Sequence, residues 1–546
     1  MGTHIVTNQP PPLVEYNLYA TDPVLGAAVS AQGGGWGAEQ LAVFGERAGS
    51  AEVFEWGFAA NQNEPVLHTH DRFGHRRDEV EYHPAYHALM DTSISHGLHG
   101  LHWEPDTPDG GHVVRTALFS LMAQVEAGHG CPISMTSSVI PAMEAQPELA
   151  EVWRPRLVSR RYDPSFQPAD HKAGATFGMG MTEKQGGSDV RTNTTQAEPC
   201  HGGGPGAEYR ITGHKWFTSA PMCDGFLILA QAPDGLSCFL LPRFTPDGDR
   251  NAVHLLRLKD KVGNRSNASG EVEFDRAAAW MVGDEGRGVR TIIEMVNGTR
   301  LDCVSGSVGL MRQAVAQAAW HVAHRSAFGG VLADKPLMQN VLADLEIEVE
   351  AATWLMVRLA GAFDRAADDP EEAAFRRLAT PVAKYWVTKR CTTVVREAME
   401  CLGGNGYVEE SILPRLYRES PVNAIWEGSG NVIALDALRA MAKEPATFEA
   451  FMAEIEQARG ADPVFDQALD STPDVVRQPE PERAGRRIVE HLAQVWGAAL
   501  LHRFGDPAVA TAFTRSRPGG DHGDLLGTLP SSASAGDISR RALPSG

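Results

Sequence analysis

A change of hydrophobic period, from helical to extended and back, constrains this chain more than any other feature. From about Asp22 to Ser138 the apolar residues of "AYHALMDTSISHGLHGL" and "TALFSLMAQVEAG" recur every three or four positions, as on one face of a helix. After Gly178 the pattern shortens. "EYRITGHKWFTSA", "DGFLILAQ", "LSCFLLPRF" and "GEVEFD" are alternating or wholly apolar, and Gly, Pro and Asp clusters such as "HGGGPGA" and "APDG" separate them. Strands joined by turns read this way. Helical spacing returns after "GDEGRGV", where Val308, Met311, Val315, Ala319 and Val322 form one stripe. A second helix is expected to start at Thr380 as N-cap with Pro381 at its first position. It carries Val387, Cys391, Val394, Ala398 and Leu402 on one stripe and ends at Gly403 and Gly404. "RAADDPEEAAFRR" reads as an exposed helix start and loop.

The expected order is therefore α, β, α, followed by a helix-containing segment from about Lys443. At 546 residues the chain exceeds one core, and domains of roughly 100–200 residues would divide it into about three or four. The last stretch, "LPSSASAGDISRRALPSG", is small and polar and is expected to be disordered. With 43% hydrophobic and 22% charged residues the composition is that of a soluble globular protein. A formal net charge of −20 argues against a protein that is polybasic as a whole, though not against a local basic face. The seven cysteines form no CxxC pair, so a reduced, cytoplasmic chain is expected. No leader pattern opens the sequence, and no apolar run approaches the ~20 residues that span a bilayer, so no membrane partner is expected.

Four stretches carry candidate chemistry. "MTEKQGGSDV", residues 181–190, puts adjacent glycines among Thr182, Glu183, Ser188 and Asp189. Glycines let backbone approach a ligand, and turn N–H groups make anion-binding nests. By composition alone it reads more readily as a structural turn. It is neither a P-loop nor a GxGxxG fingerprint. "GHKWFTSA" sets Trp216 and Thr218 two residues apart, on one face of a regular strand. A ring beside a hydroxyl suits a planar heteroaromatic ligand. "ECLGGNGYVEE" supplies close backbone at a helix end. "NAIWEGSGNV" encloses Glu427 between Trp426 and Gly428, the setting of a candidate buried base.

These stretches, in this order on an α–β–α layout, resemble the acyl-CoA dehydrogenase flavoproteins. "NQPPPLVEYNLYATD", "LKDKVGNRSNASGEVEF" and "LPRLYRESPVNAIWEGSGN" are similar to the branch of that family associated with the adaptive response to DNA alkylation. The likeness runs from about Thr7 to Lys443. It implies an α+β fold: an N-terminal helical domain (1–178), a middle β-barrel domain (179–285), a C-terminal four-helix bundle (286–442) and an extra helical domain (443–546). It also implies FAD and a homotetramer. Met181, Thr182, Gly187 and Ser188 would lie along the flavin ring and pyrophosphate. Trp216 would flank the isoalloxazine, with Thr218 near flavin N5. Arg325 and Phe328, from the RxxFG-like "RSAFG", would reach the FAD of a neighbouring subunit. Gly403 and Gly404 would line the same dinucleotide, Ser429 and Asn431 its adenosine end.

The implied reaction is α,β-dehydrogenation of an acyl-CoA or similar thioester, with Glu427 as base. The earlier helix position that holds the base in one subgroup is Thr299 here. Glu400 stands where many members have Gln, and Trp426, at the cofactor, replaces a smaller Tyr and would narrow the acyl pocket. The alternative implied by the resemblance is a flavoprotein that binds double-stranded DNA during alkylation stress, with little turnover. From Lys443 to Gly546 there are 11 basic and 15 acidic residues, a net of −4, while residues 477–541 reach +2. Tetramer symmetry would have to gather Arg439, Arg486, Arg487, Arg515 and Arg517 into one patch, and Arg439 and Arg517 are the nominated DNA contacts. No metal is expected. His68, His70, His75, His83 and His87 lack the cysteines or acidic pair that would complete a site.

Overall fold

The computed structural model describes residues 2–544. They divide into two compact units that cut across the consecutive domains. One comprises residues 1–54, 108–125 and 303–546, the other 55–107 and 126–302.

The second unit is built on a β-barrel. The Gly225–Ala232 strand pairs antiparallel with Gly235–Pro242 across a two-residue turn, Pro233–Asp234. Gly235–Pro242 pairs with Ser269–Val282, that strand with Glu208–Ser219, and Glu208–Ser219 with Gln196–Pro199. Gln196 then returns beside Gln231, which closes a five-stranded ring. Phe177–Gly180 adds in parallel to Gly225–Ala232, and Val253–Leu258 adds to Ser269–Val282. Gly225–Ala232 is buried at almost every position, the signature of a strand covered on both faces, which is why "DGFLILAQ" does not alternate.

Helices Pro84–Ser95, Gly130–Met143 and Pro147–Leu157 belong to the same unit. So does a hairpin, Val66–His70 with Arg76–Glu81, within the region expected to be helical. Its turn is local chemistry. Asp71 Oδ1 accepts from the N–H groups of Phe73 (2.8 Å) and His75 (2.9 Å), and Gly74 takes φ +88°.

The first unit is helical. At its centre runs Pro336–Arg365, continuously buried from Leu342 to Ala362 and touching Pro23–Ala31, Gly111–Ala123, Pro370–Cys401, Pro481–Phe504 and Ala535–Arg541. A helix apolar all round belongs in a core, yet this one carries Asp344, Glu346, Glu348 and Glu350 inside. Arginines meet all four: Arg517 pairs with Asp344 and Glu348, Arg390 with Glu348, Arg541 with Glu350, and Arg312 stands 4.0 Å from Glu346. Burial pushes the Glu346 carboxyl up to about 8, against the pull of Arg312.

Two expectations change here. The helix expected from Thr380 begins a full ten residues earlier, at Pro370. Asp369 caps it by accepting from the N–H groups of Glu371 (2.8 Å) and Glu372 (3.3 Å). Pro381 lies inside the helix, and Thr380 Oγ1 donates to the Arg376 carbonyl instead of capping. The stretch expected to be disordered is ordered through residue 544, and its last two residues lie outside the described ones. It forms the Ala535–Arg541 helix, fully buries Ile538 and Ala542, and ties Arg541 Nε to Glu350 at 2.6 Å. The polar sequence folds because its charges find partners about 190 residues away. The stripes on the two long helices are as expected except at the end of the second: Val308, Met311, Val315, Ala319, Val322, Val387, Cys391, Val394 and Ala398 are all buried, while Leu402 is half-buried at the C-cap.

Candidate active site

In the barrel unit, "MTEKQGGSDV" leaves the Phe177–Gly180 strand as a tight turn. The N–H of Glu183 donates to Gly186 O (3.2 Å) and that of Gly186 to Glu183 O (3.0 Å). A Cβ on Gly187 would fall 2.2 Å from Thr182 Oγ1, so glycine is what lets the loop close on that hydroxyl. Beneath the loop lies an ion pair that sequence reasoning missed. Glu183 Oε1 and Lys215 Nζ are 2.9 Å apart, and both side chains are fully buried. Glu183 also accepts from the N–H groups of Thr194 and Thr195, the Thr194 hydroxyl and the Gln185 amide. Burial alone would raise its pKa. These hydrogen bonds and the Lys215 charge outweigh that and hold the carboxyl well below the usual range. Lys215 has Leu229 O (2.7 Å) besides Glu183, and burial pushes its pKa down to about 8 in spite of the carboxylate. The two shifts point opposite ways because Glu183 is rich in donors and Lys215 is poor in acceptors. At neutral pH both are charged.

The pair fixes the neighbours that matter. Trp216 N–H donates to Thr182 O at 2.8 Å, locking the strand to the glycine loop. Register shifts between Lys215 and Thr218 interrupt the strict alternation expected for Trp216 and Thr218. Lys215 and Thr218 point inward as buried residues, while Trp216 is half-buried and Phe217 exposed. Lys259 Nζ stands 3.3 Å from the Trp216 ring centroid, with Arg257 and Lys184 further out. Lys259 and Arg257 share the buried carboxylate of Glu271, each at 2.6 Å. "LKDKVGNR" therefore opens by placing a cation on the indole.

Thr218 Oγ1 is buried with no hydrogen-bond partner among the described residues. Such a hydroxyl is costly unless a ligand or water satisfies it. With the half-buried indole of Trp216 and the exposed Ser188, it fits the polar edge of a planar group such as flavin. Met181, whose carbonyl accepts from Asn193 Nδ2 at 3.0 Å, belongs to the same loop.

In the helical unit, Glu427 adopts φ +56° and Gly428 φ +108°. Lys384, 1% exposed on the Pro370–Cys401 helix, donates from Nζ to the carbonyls of Trp426 (2.9 Å) and Gly428 (2.6 Å). Trp426 Nε1 donates to Asn423 Oδ1 at 3.0 Å, and Asn423 Nδ2 to Ser307 Oγ at 3.1 Å. Ser429 is the N-cap residue of Gly430–Lys443, and Asn431 Oδ1 accepts from Arg486 Nε at 2.8 Å. Gly403, at φ +59°, and Gly404 are exposed, with open space where a Cβ would go. Arg325 donates to the Asn8 carbonyl. Phe328, at φ +51°, is 94% exposed in the turn of the Ser326–Ala327 and Gly330–Val331 hairpin.

Arg517 requires a correction. It is 7% exposed and committed to Asp344 and Glu348, so it is not available to a DNA phosphate; Arg439 is exposed. The histidines have other duties: His68 pairs with Glu81, His75 with Asp71, His83 accepts from Ala85 N–H, and His87 hydrogen-bonds Tyr162. A cavity of about 670 Å³ in the barrel unit is walled by Tyr82, Tyr86, His87, Tyr162, Phe166 and Met222 among others, and no nominated residue lines it. No helix among the described residues is long and apolar enough to cross a membrane.

A closed barrel that carries a glycine loop and an orphaned hydroxyl, in a chain that continues into long helices, has the layout of a flavin-dependent oxidoreductase. Residues 178–277 match the acyl-CoA dehydrogenase middle domain, residues 286–442 its C-terminal domain, and residues 8–164 the adaptive response protein AidB N-terminal domain. The chain belongs to the acyl-CoA dehydrogenase family, whose cofactor is FAD. It is 47% identical to the putative acyl-CoA dehydrogenase AidB of Escherichia coli over 94% of both chains. It is 32% identical to acyl-CoA dehydrogenase family member 11 of Caenorhabditis elegans, over 80% of this chain and 72% of that one. The crystal structure of the Caenorhabditis elegans protein ACDH-11 in complex with C11-CoA superposes with a TM-score of 0.85 at 28% identity, covering 95% of this chain and 93% of that one.

Proposed function

We propose that the protein oxidises an acyl-CoA thioester between Cα and Cβ, with Glu427 as the base. The observation that carries this reading is the backbone of Glu427. A residue with a Cβ in the left-handed region costs roughly 1–2 kcal/mol, and such outliers persist where surrounding structure enforces them, often at functional sites. Here Lys384 and Asn423 hold the segment on either side. The Glu427 carboxylate takes the α proton as the β C–H bond breaks. Bound FAD supplies the hydride acceptor. Thr218 would satisfy its buried hydroxyl on the flavin edge, Trp216 would stack against the ring, and the turn from Met181 through Thr182 and Gly187 to Ser188 would bring N–H and hydroxyl groups to the dinucleotide. The C11-CoA bound by the Caenorhabditis elegans protein supports the thioester class. The almost wholly exposed Phe328 ring supports a hairpin that reaches a second copy of the chain, as in a homotetramer, with Arg325, Gly403 and Gly404 completing its cofactor site.

Glu427→Gln keeps the shape and removes the base. FAD should remain bound, while flavin reduction by an acyl-CoA falls by at least about 10²-fold, the contribution of a positioned base. Reduction at the wild-type rate would refute the mechanism. The DNA-binding reading loses Arg517 as a contact, and no observation favours it over the dehydrogenase reading.

A further inference from the structure

Glu427 and Gly428 are consecutive residues with positive φ, and one buried ammonium ties both ends of that pair. The Trp426 carbonyl lies in the peptide plane entering Glu427, and the Gly428 carbonyl in the plane leaving Gly428. Moving either residue out of the left-handed region would swing these carbonyls. Lys384 Nζ bonds both, so that motion breaks at least one charge-assisted hydrogen bond of a buried cation. Such bonds are about twice as strong as neutral ones, and a buried charge deprived of partners is heavily penalised. A second anchor backs the first. The Trp426 indole is held by Asn423, and Asn423 by Ser307 on the Gly288–His324 helix. The side chain of Glu427 is thus carried by backbone that Lys384 locks from another helix, 43 residues earlier in the chain.

We propose that Lys384 is a positioning residue for Glu427: its ammonium holds the base's backbone in the left-handed conformation and so sets where the carboxylate stands. The kinetic consequence rests on Glu427 being the base. The backbone claim does not.

The test compares glycine with alanine at position 427 in two backgrounds, with the holoprotein unfolded in urea. Glycine relieves the strain of positive φ, while its greater unfolded-state freedom subtracts a similar amount in both backgrounds. Between Glu427→Ala and Glu427→Gly in otherwise wild-type protein, the folding equilibrium should favour glycine. In Lys384→Met that preference should shrink by about fivefold or more, because the segment is free to relax. An unchanged preference would overturn the proposal. Should Lys384→Met not be recovered folded, the same comparison applies in Lys384→Gln, whose amide cannot span both carbonyls. With Glu427 intact, flavin reduction by a straight-chain acyl-CoA should slow at least ~10-fold in Lys384→Met, with thioester affinity little changed. Lys384→Arg, which can still donate to two carbonyls, should recover part of the rate. A lost glycine preference with an unslowed reduction would leave the backbone claim standing and refute Glu427 as the base.

Discussion

Removing the carboxylate from the buried Glu183–Lys215 pair should destabilise the protein with a distinctive pH dependence that removing the amine does not share. In Glu183→Gln, Lys215 is left with the Leu229 carbonyl and whatever the new amide offers. Its pKa, about 8 even beside the carboxylate, must then fall further. At pH 7 the folded variant escapes by losing the proton. The unfolded chain stays protonated up to about 10.5, the ordinary lysine value. Wild type already carries the interval from about 8 to 10.5, so the variant's added cost is what remains below about 8, at about 1.4 kcal/mol per pH unit: about 1.4 kcal/mol at pH 7 and about 2.7 kcal/mol at pH 6. The sign follows from the protons: the unfolded state binds one more, so stability rises with pH. The deficit should fall to near zero by pH 9, where wild-type Lys215 has lost its proton as well. Lys215→Met leaves Glu183 with donors from Thr194, Thr195 and Gln185. It should cost about 3 kcal/mol, the low end for a broken buried pair, and show no trend between pH 6 and 7, where wild-type Lys215 keeps its proton. In the wild type the depressed Glu183 pKa contributes stability above its ordinary 4.5, lost as acid protonates it. The assay is urea unfolding of both variants from pH 6 to 9, each referenced to wild type at the same pH. A deficit for Glu183→Gln that does not fall between pH 6 and 8, or one for Lys215→Met that falls between pH 6 and 7, would refute this account.

Arg517→Met should cost about 3–5 kcal/mol in urea unfolding, because Asp344 and Glu348 lose a guanidinium that is itself buried; a cost below about 1 kcal/mol would mean that the pairing is dispensable. Thr218→Val should leave the apoprotein's stability nearly unchanged, since the hydroxyl has no protein partner, but weaken FAD binding by roughly two- to tenfold, one hydrogen bond's worth, in a fluorescence titration.

Patterns acting within a few residues were legible in the sequence. The barrel strands, the stripes on Gly288–His324 and Pro370–Cys401, and the glycine loop each follow from local periodicity or turn chemistry. The long words around Thr182, Trp216 and Glu427 sufficed to name the family. The misreadings are equally specific. Thr380–Pro381 carries a helix-start signature as strong as Asp369–Pro370, and only the packing of the longer helix selects the latter. The Arg76–Glu81 strand carries five charges in six residues, which hides its partner from any apolar count. Arg517 looks like a surface cation and the tail around Ile538 like disordered chain, because their partners, Asp344, Glu348 and Glu350, lie on a helix some 170–190 residues earlier.

The sequence by itself determined which segments extend or coil, where adjacent glycines let the backbone turn tightly, and that a lone carboxylate stands between Trp426 and Gly428. Those are short-range matters of sterics and hydrogen bonding. Only the tertiary structure decided that Lys384 grips both ends of that segment, that Glu183 and Lys215 neutralise each other under the glycine loop, and that Arg517 faces inward. An ionisable side chain is soluble wherever water reaches it, so its sequence is silent about burial; its role is fixed when folding removes the water and leaves a partner from a distant part of the chain.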